Sequence, residues 1–182
     1  MQPTFETERL CLRPWKLTDA SSIRELAGSK EVAATTLSIP HPYPEGAAES
    51  WIDACHHRSA EGNGYSFAIT SKDQHTLLGC ISLNVSKPHR RGELAYWLGR
   101  AFWCNGFATE AAKQIVHFGF HNLHLNKIHA AAMTKNPASS NVMIKVGMEY
   151  EGTFKQHIMK WDVYEDLVYY GLVRADYEKR NG

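Results

Sequence analysis

The hydrophobic pattern changes period near the middle of the chain. Over residues 92–98, Leu94, Tyr96 and Leu98 alternate with Glu93, Ala95 and Trp97, the period of a strand, whereas Ala111, Ile115 and Phe118 recur at helical spacing. Between them Asn105-Gly106-Phe107-Ala108-Thr109 predicts a tight turn into a helix, because small residues let the backbone turn sharply. The first turn of a helix leaves its N–H groups unpaired. The turn is therefore either a seat for a phosphate or an ordinary strand-to-helix connection whose N–H groups meet water.

The same reading runs along the rest of the chain. Leu10, Leu12 and Pro14 alternate with Arg9, Cys11 and Arg13, a strand ending near Trp15. A helix carrying Ile23 and Leu26 follows, started by Thr18 or Asp19 and ended by Gly28. Three prolines over residues 39–44 predict a stiff loop, since each removes a donor and fixes φ. A helix from Glu45 to about Ser59 comes next, then strands over 65–70 and 77–85 joined by a turn at Lys72-Asp73-Gln74. Beyond the central unit, 127–133 reads as a strand. Val142, Ile144 and Val146 repeat at the strand period, but Pro137 at a helix start and Gly147 as a C-cap favour helix. Residues 149–156 and 165–174 close the pattern as two strands. Helices mixed with a largely hairpin-connected sheet give the α+β class.

A chain of 182 residues suits one domain with a core of its own. With 43% hydrophobic and 21% charged residues the composition is that of a soluble protein, and no apolar run approaches the ~20 residues that span a bilayer. The opening residues carry no basic region followed by an apolar one, so no membrane association and a cytoplasmic location are expected. A net charge of +1, with no basic block longer than Arg90-Arg91, disfavours nucleic acid as a partner. Four scattered cysteines form no C-x-x-C pair. His117, His121 and His124 share a helical face, but three ligands on one helix rarely converge on one ion, and no metal is expected.

Three separated segments carry a resemblance. Thr7-Glu8-Arg9-Leu10-Cys11-Leu12-Arg13 is similar to the opening strand T-E-R-L-x-L-R of the RimJ/RimL-like branch of the GNAT acyltransferases. Trp103-Cys104-Asn105-Gly106-Phe107-Ala108 resembles that superfamily's pyrophosphate loop, Gln/Arg-x-x-Gly-x-Gly/Ala, and Asn136-Pro137-Ala138-Ser139 with Lys145-Val146-Gly147-Met148 resembles N-x-x-S followed by K-x-G-F. The resemblance implies a mostly antiparallel mixed sheet whose fourth and fifth strands splay into a V that holds acetyl-CoA. The backbone of Tyr96, Trp97 and Leu98 would pair with pantetheine as an added strand. Trp103 to Thr109 would hold the pyrophosphate, and Asn136 would contact the pantetheine arm. An amine acceptor, possibly the N-terminus of a ribosomal protein, and a homodimer are further implications.

Two departures shape the expected chemistry. Met143 stands where many of these enzymes have a tyrosine that protonates the departing thiolate, which leaves Ser139 as the candidate acid. The carboxylate that RimL-like enzymes present before the final strands is absent around Gln156-His157-Ile158, which leaves Glu93 as the candidate base. Tyr43, in the proline-rich loop, is the candidate floor of the acceptor cleft. Acetylation of a small amine, a polyamine or an aminoglycoside, is the alternative, with Glu45, Glu49, Asp53 and Glu61 as the carboxylates it would use; a non-catalytic acyl-CoA sensor is another.

Overall fold

The computed structural model describes residues 2–181. Eight strands form one sheet, β1 (Phe5–Glu6), β2 (Leu10–Arg13), β3 (Gly64–Ser71), β4 (Leu77–Ser86), β5 (Arg91–Leu98), β6 (Lys127–Met133), β7 (Glu149–Lys160) and β8 (Val163–Val173). Their spatial order is β1-β2-β3-β4-β5-β6-β8-β7, antiparallel except for the β5/β6 pair. The helices are α1 (Ala20–Ala27), α2 (Lys30–Thr35), α3 (Ala47–Ala60), α4 (Phe107–His121), α5 (Pro137–Lys145) and α6 (Arg174–Asn181).

Alternation along the central strands feeds two cores. Leu10, Leu12, Phe67, Ile81, Leu83 and Leu94 face α4 and α5, where Ile115, Phe118 and Met143 meet them. Trp15, Ala68 and Cys80 point to the other face, against Ile23 of α1 and Ala48 and Ile52 of α3. β3, β4 and β5 thus supply apolar side chains to both faces, and the sheet is the middle of three layers.

The expected α+β architecture is present, and β6 and the β3–β4 hairpin fall where the pattern put them. Three elements were not anticipated. β1 is only two residues long, and it makes the splayed pair the fifth and sixth strands rather than the fourth and fifth. α2 is six residues capped by Ser29, too short to show a period. α6 replaces the expected continuation of the last strand through Arg174; its sequence RADYEKRN is polar on nearly every face, so hydrophobic periodicity could not reveal it. The ambiguous 142–146 segment is helical, with Gly147 at φ +97° just past the end of α5.

One irregularity positions everything that follows. β5 and β6 are paired only over Arg91–Lys127, Gly92–Ile128 and Glu93–His129, although β5 continues to Leu98 and β6 to Met133. Beyond Glu93 the two strands part and leave a gap through the sheet. No helix among the described residues is long and apolar enough to cross a membrane.

Candidate active site

A cavity of about 670 Å³ runs through that gap. On the α4/α5 side it is lined by Tyr96, Trp103, Cys104, Gly106, Phe107, Ala108, Thr109, Asn136 and Ser139. On the α3 side Tyr43, Trp51, Arg58, Asn84, Glu93 and Trp97 line it. Alternation along β5 makes this division: Tyr96 packs on the core beneath α4, whereas Trp97 packs on the core beneath α3.

The loop before α4 has the shape the sequence suggested. Cys104 and Gly106 have φ of +61° and +80°, left-handed conformations that turn the chain into the helix. The first helical bond is made by the Glu110 N–H to the Gly106 carbonyl at 3.0 Å, so the N–H groups of Phe107, Ala108 and Thr109 precede the ladder and face an anion-attracting helix end. This cradle fits a pyrophosphate. Trp103 donates its indole N–H to the Leu98 carbonyl at 2.8 Å and so ties the loop to the end of β5. Asn105 donates its side-chain amide to the Trp103 carbonyl at 2.9 Å.

A clamp under the loop went unnoticed in the sequence. Arg9 donates from Nη1 to the Asn105 carbonyl at 3.0 Å and from Nε to Glu110 at 2.8 Å, and its guanidinium lies 4.6 Å over the Phe107 ring. Glu110 also accepts from the Thr7 hydroxyl at 2.6 Å and the Arg9 N–H at 2.9 Å. Burial works to raise the Glu110 carboxyl, but the hydrogen bonds from Thr7 and Arg9 and the Arg9 charge bring it below its ordinary value. It therefore stays ionised and holds the first turn of α4. The Thr7-Glu8-Arg9 segment carried this signal only as part of a family pattern.

Asn136, rather than Ser139, caps α5. Its Oδ1 accepts from the Ser139 N–H at 3.3 Å and its Nδ2 donates to the Thr35 carbonyl at 3.2 Å, so the side chain joins α5 to α2 while lining the cavity. The Ser139 hydroxyl is consequently free of capping, and lies 3.0 Å from the Tyr96 hydroxyl. Tyr96 in turn donates to the Ser139 carbonyl at 2.9 Å. Burial pushes the Tyr96 hydroxyl up to about 12, against the opposing pull of its bond with Ser139, so it remains a donor at neutral pH. The sequence offered only the Tyr96 backbone; the side chain is the larger finding. Met143 is 1% exposed in the core and presents nothing to the cavity.

Glu93 sits where the strands separate, opposite His129. Burial, only partly opposed by the Glu93 charge, lowers the His129 imidazole from its ordinary value, and its buried Nδ1 has no hydrogen-bond partner among the described residues. His129 was not singled out by sequence, since an isolated histidine on a strand carries no pattern. The carboxylates nearest to the vacant tail position are committed elsewhere, Glu165 to Lys135 and Asp166 to the Gln156 N–H at 2.7 Å.

Tyr43 lies in the cavity wall in the loop between α2 and α3, packed with Trp51 against the α3-side core. Burial raises its hydroxyl above the ordinary tyrosine value. The loop includes a cis His41–Pro42 bond and is tied to the β7–β8 hairpin, whose buried Lys160 donates to the Ile39 carbonyl at 2.9 Å.

Comparison with known proteins bears on the family and the fold. A family model described as an acetyltransferase (GNAT) domain matches residues 9–149. The uncharacterized N-acetyltransferase YoaA of Bacillus subtilis (strain 168) is 30% identical over 175 residues, covering 96% of this chain and 98% of that protein. Among solved structures, RimL, a ribosomal L7/L12 α-N-protein acetyltransferase in complex with coenzyme A, aligns with a TM-score of 0.87 at 15% identity over 96% and 99% of the two chains. A mutant of the spermidine N-acetyltransferase SpeG from Vibrio cholerae aligns with a TM-score of 0.79 at 19% identity over 97% and 100%. At these identities the two structures are similar to this chain in fold.

Proposed function

The chain belongs to the GNAT acetyltransferases and moves an acetyl group to an amine, and from that premise we propose that its acceptor is the α-amino group of a protein N-terminus, of the kind ribosomal proteins present. The observation that carries this is the charge on the α3 side of the cavity. Glu45, Glu49, Asp53 and Glu61, the carboxylates a polyamine would use, do not line it, and its charged side chains there are Glu93 and Arg58. A polyamine carries several positive charges along its length, and one carboxylate matches one ammonium. RimL, which shares this fold, is described as a ribosomal L7/L12 α-N-protein acetyltransferase, and that description is in line with the same reading.

Acetyl-CoA, bound through the cradle at residues 103–109, supplies the acetyl thioester. On this reading the amine enters from the α3 side and the thioester from the α4/α5 side of one gap, so proximity provides much of the acceleration. Glu93 takes the proton that leaves the amine, directly or through water. On the other face Tyr96 and Ser139 offer hydroxyl donors to sulfur.

Thiol release measured over an amine panel tests this. N-terminal peptides should release coenzyme A thiol, while spermidine and aminoglycosides should release little. Faster turnover of spermidine than of any peptide, or tight acetyl-CoA binding with no thiol from any amine, overturns it. Glu93→Gln should lower the rate most at low pH, where the amine is protonated and needs a base, and least at high pH, where it is already neutral. A pH–rate profile parallel to wild type removes Glu93 from the role.

A further inference from the structure

At the level where β5 and β6 part, one residue of each strand falls in a row across the sheet. Gly64 of β3 is opposite Asn84 of β4, Asn84 is opposite Glu93 of β5, and Glu93 is opposite His129 of β6. Directly opposed residues share a face, and Asn84 and Glu93 both line the cavity. Gly64 leaves a vacancy that Arg58 of α3 fills: a Cβ there would stand 3.1 Å from Arg58 Nη2 and 3.4 Å from Nε. Arg58 donates from Nη2 to Asn84 Oδ1 at 2.5 Å. Its other N–H donors have no acceptor and its charge no carboxylate among the described residues, although it too lines the cavity.

The row therefore presents a carboxylate and an unmatched guanidinium with Asn84 between them. Neighbouring strands stand about 4.8 Å apart, which puts the strand positions beneath the two charges about 10 Å from one another. Groups bound by two side chains that line one cavity stand no farther apart than those strand positions, below about 10 Å. The pair fits a molecule bearing one ammonium and one carboxylate at that spacing, the span from an N-terminal nitrogen to an acidic side chain in the first two residues of a peptide. Guanidinium is suited to the second group, because its planar fork matches a carboxylate.

We propose that Arg58, held by Asn84, reads a carboxylate on the acceptor, and that the enzyme acetylates amines that carry an acidic group close by. Among protein substrates these are N-termini with Asp or Glu at the first or second position. This deepens the reading of the α-amine acceptor and rests on it, but the two fail differently.

The test compares kcat/KM for peptide pairs that differ only by Asp against Asn at position two, together with γ-aminobutyrate against butylamine as a small-molecule pair. The wild-type enzyme should favour the acidic peptide by about 10- to 100-fold, the worth of one charge-assisted hydrogen-bonded contact. Arg58→Ala should bring that ratio close to one, and Arg58→Lys should leave an intermediate ratio, having the charge without the fork. Unchanged thermal unfolding of both variants shows that the ratio reports recognition. If peptides fail but γ-aminobutyrate outpaces butylamine in an Arg58-dependent way, the carboxylate inference stands and the protein N-terminus does not. Equal rates on Asp and Asn peptides, or a preference that survives Arg58→Ala, overturn the inference while leaving an α-amine acceptor in place. No thiol release from any amine overturns both.

Discussion

Gly106→Val is expected to weaken acetyl-CoA binding sharply in a protein that still folds. Two costs act together. The residue sits at φ +80°, a region that L-residues enter at about 1–2 kcal/mol and that β-branched ones avoid most strongly. A side chain there would meet only Arg9 Nη2, at 3.4 Å, so the protein itself has room for one. The intrusion would therefore be into the space proposed for the pyrophosphate, and the preferred φ of valine would turn the N–H groups of Phe107, Ala108 and Thr109 away from it. Losing one or two hydrogen bonds to a charged ligand together with the helix-end attraction costs about 2–4 kcal/mol, or roughly 30- to 1000-fold in Kd. Calorimetry with acetyl-CoA measures it, and Gly106→Ala, which meets the φ cost with less bulk, should fall between. Wild-type affinity in folded Gly106→Val would make the loop a plain turn.

Much of this site was legible because its backbone obeys local rules. The change from period two to period 3.6, with small residues at the junction, marks the turn into α4, and the Asn136-Pro137 start marks α5. What escaped is what depends on distant segments meeting. Arg9 and Glu110 are 101 residues apart in sequence and meet in a bond of 2.8 Å. Asn84, Glu93 and His129 share a row only because of strand register, which the alternation within each strand does not specify across so many residues. Ser139 stands in the first turn of α5, where a hydroxyl can cap the helix, but Asn136 does the capping and leaves that hydroxyl free of it. Short or uniformly polar helices, α2 and α6, left no period to find.

Tyr96→Phe and Ser139→Ala should each lower kcat by about 10- to 100-fold, because one positioned hydrogen bond to a developing charge is worth roughly 1.5–3 kcal/mol. The KM for acetyl-CoA should change little, since neither hydroxyl belongs to the pyrophosphate cradle. The structure links the two predictions. The hydroxyls are 3.0 Å apart, and the tyrosine has one proton to share between the Ser139 carbonyl and the Ser139 hydroxyl. On the proposed mechanism a donor to the departing sulfur would depend on both groups, one orienting or re-protonating the other. Residues acting as one unit are non-additive, so the double variant should be no slower than about the worse single. The pH dependence separates this pair from Glu93. With Tyr96 pushed up to about 12, it stays protonated throughout the range in which the amine titrates, and the loss should be parallel at every pH, whereas Glu93→Gln should hurt most at low pH. Single-turnover kinetics across pH 6 to about 10 would read both shapes. Losses that multiply in the double variant would split the relay into independent contacts, a Tyr96→Phe variant with wild-type kcat would restore Ser139 as the sole donor, and a Ser139→Ala variant altered only in stability would make that hydroxyl structural.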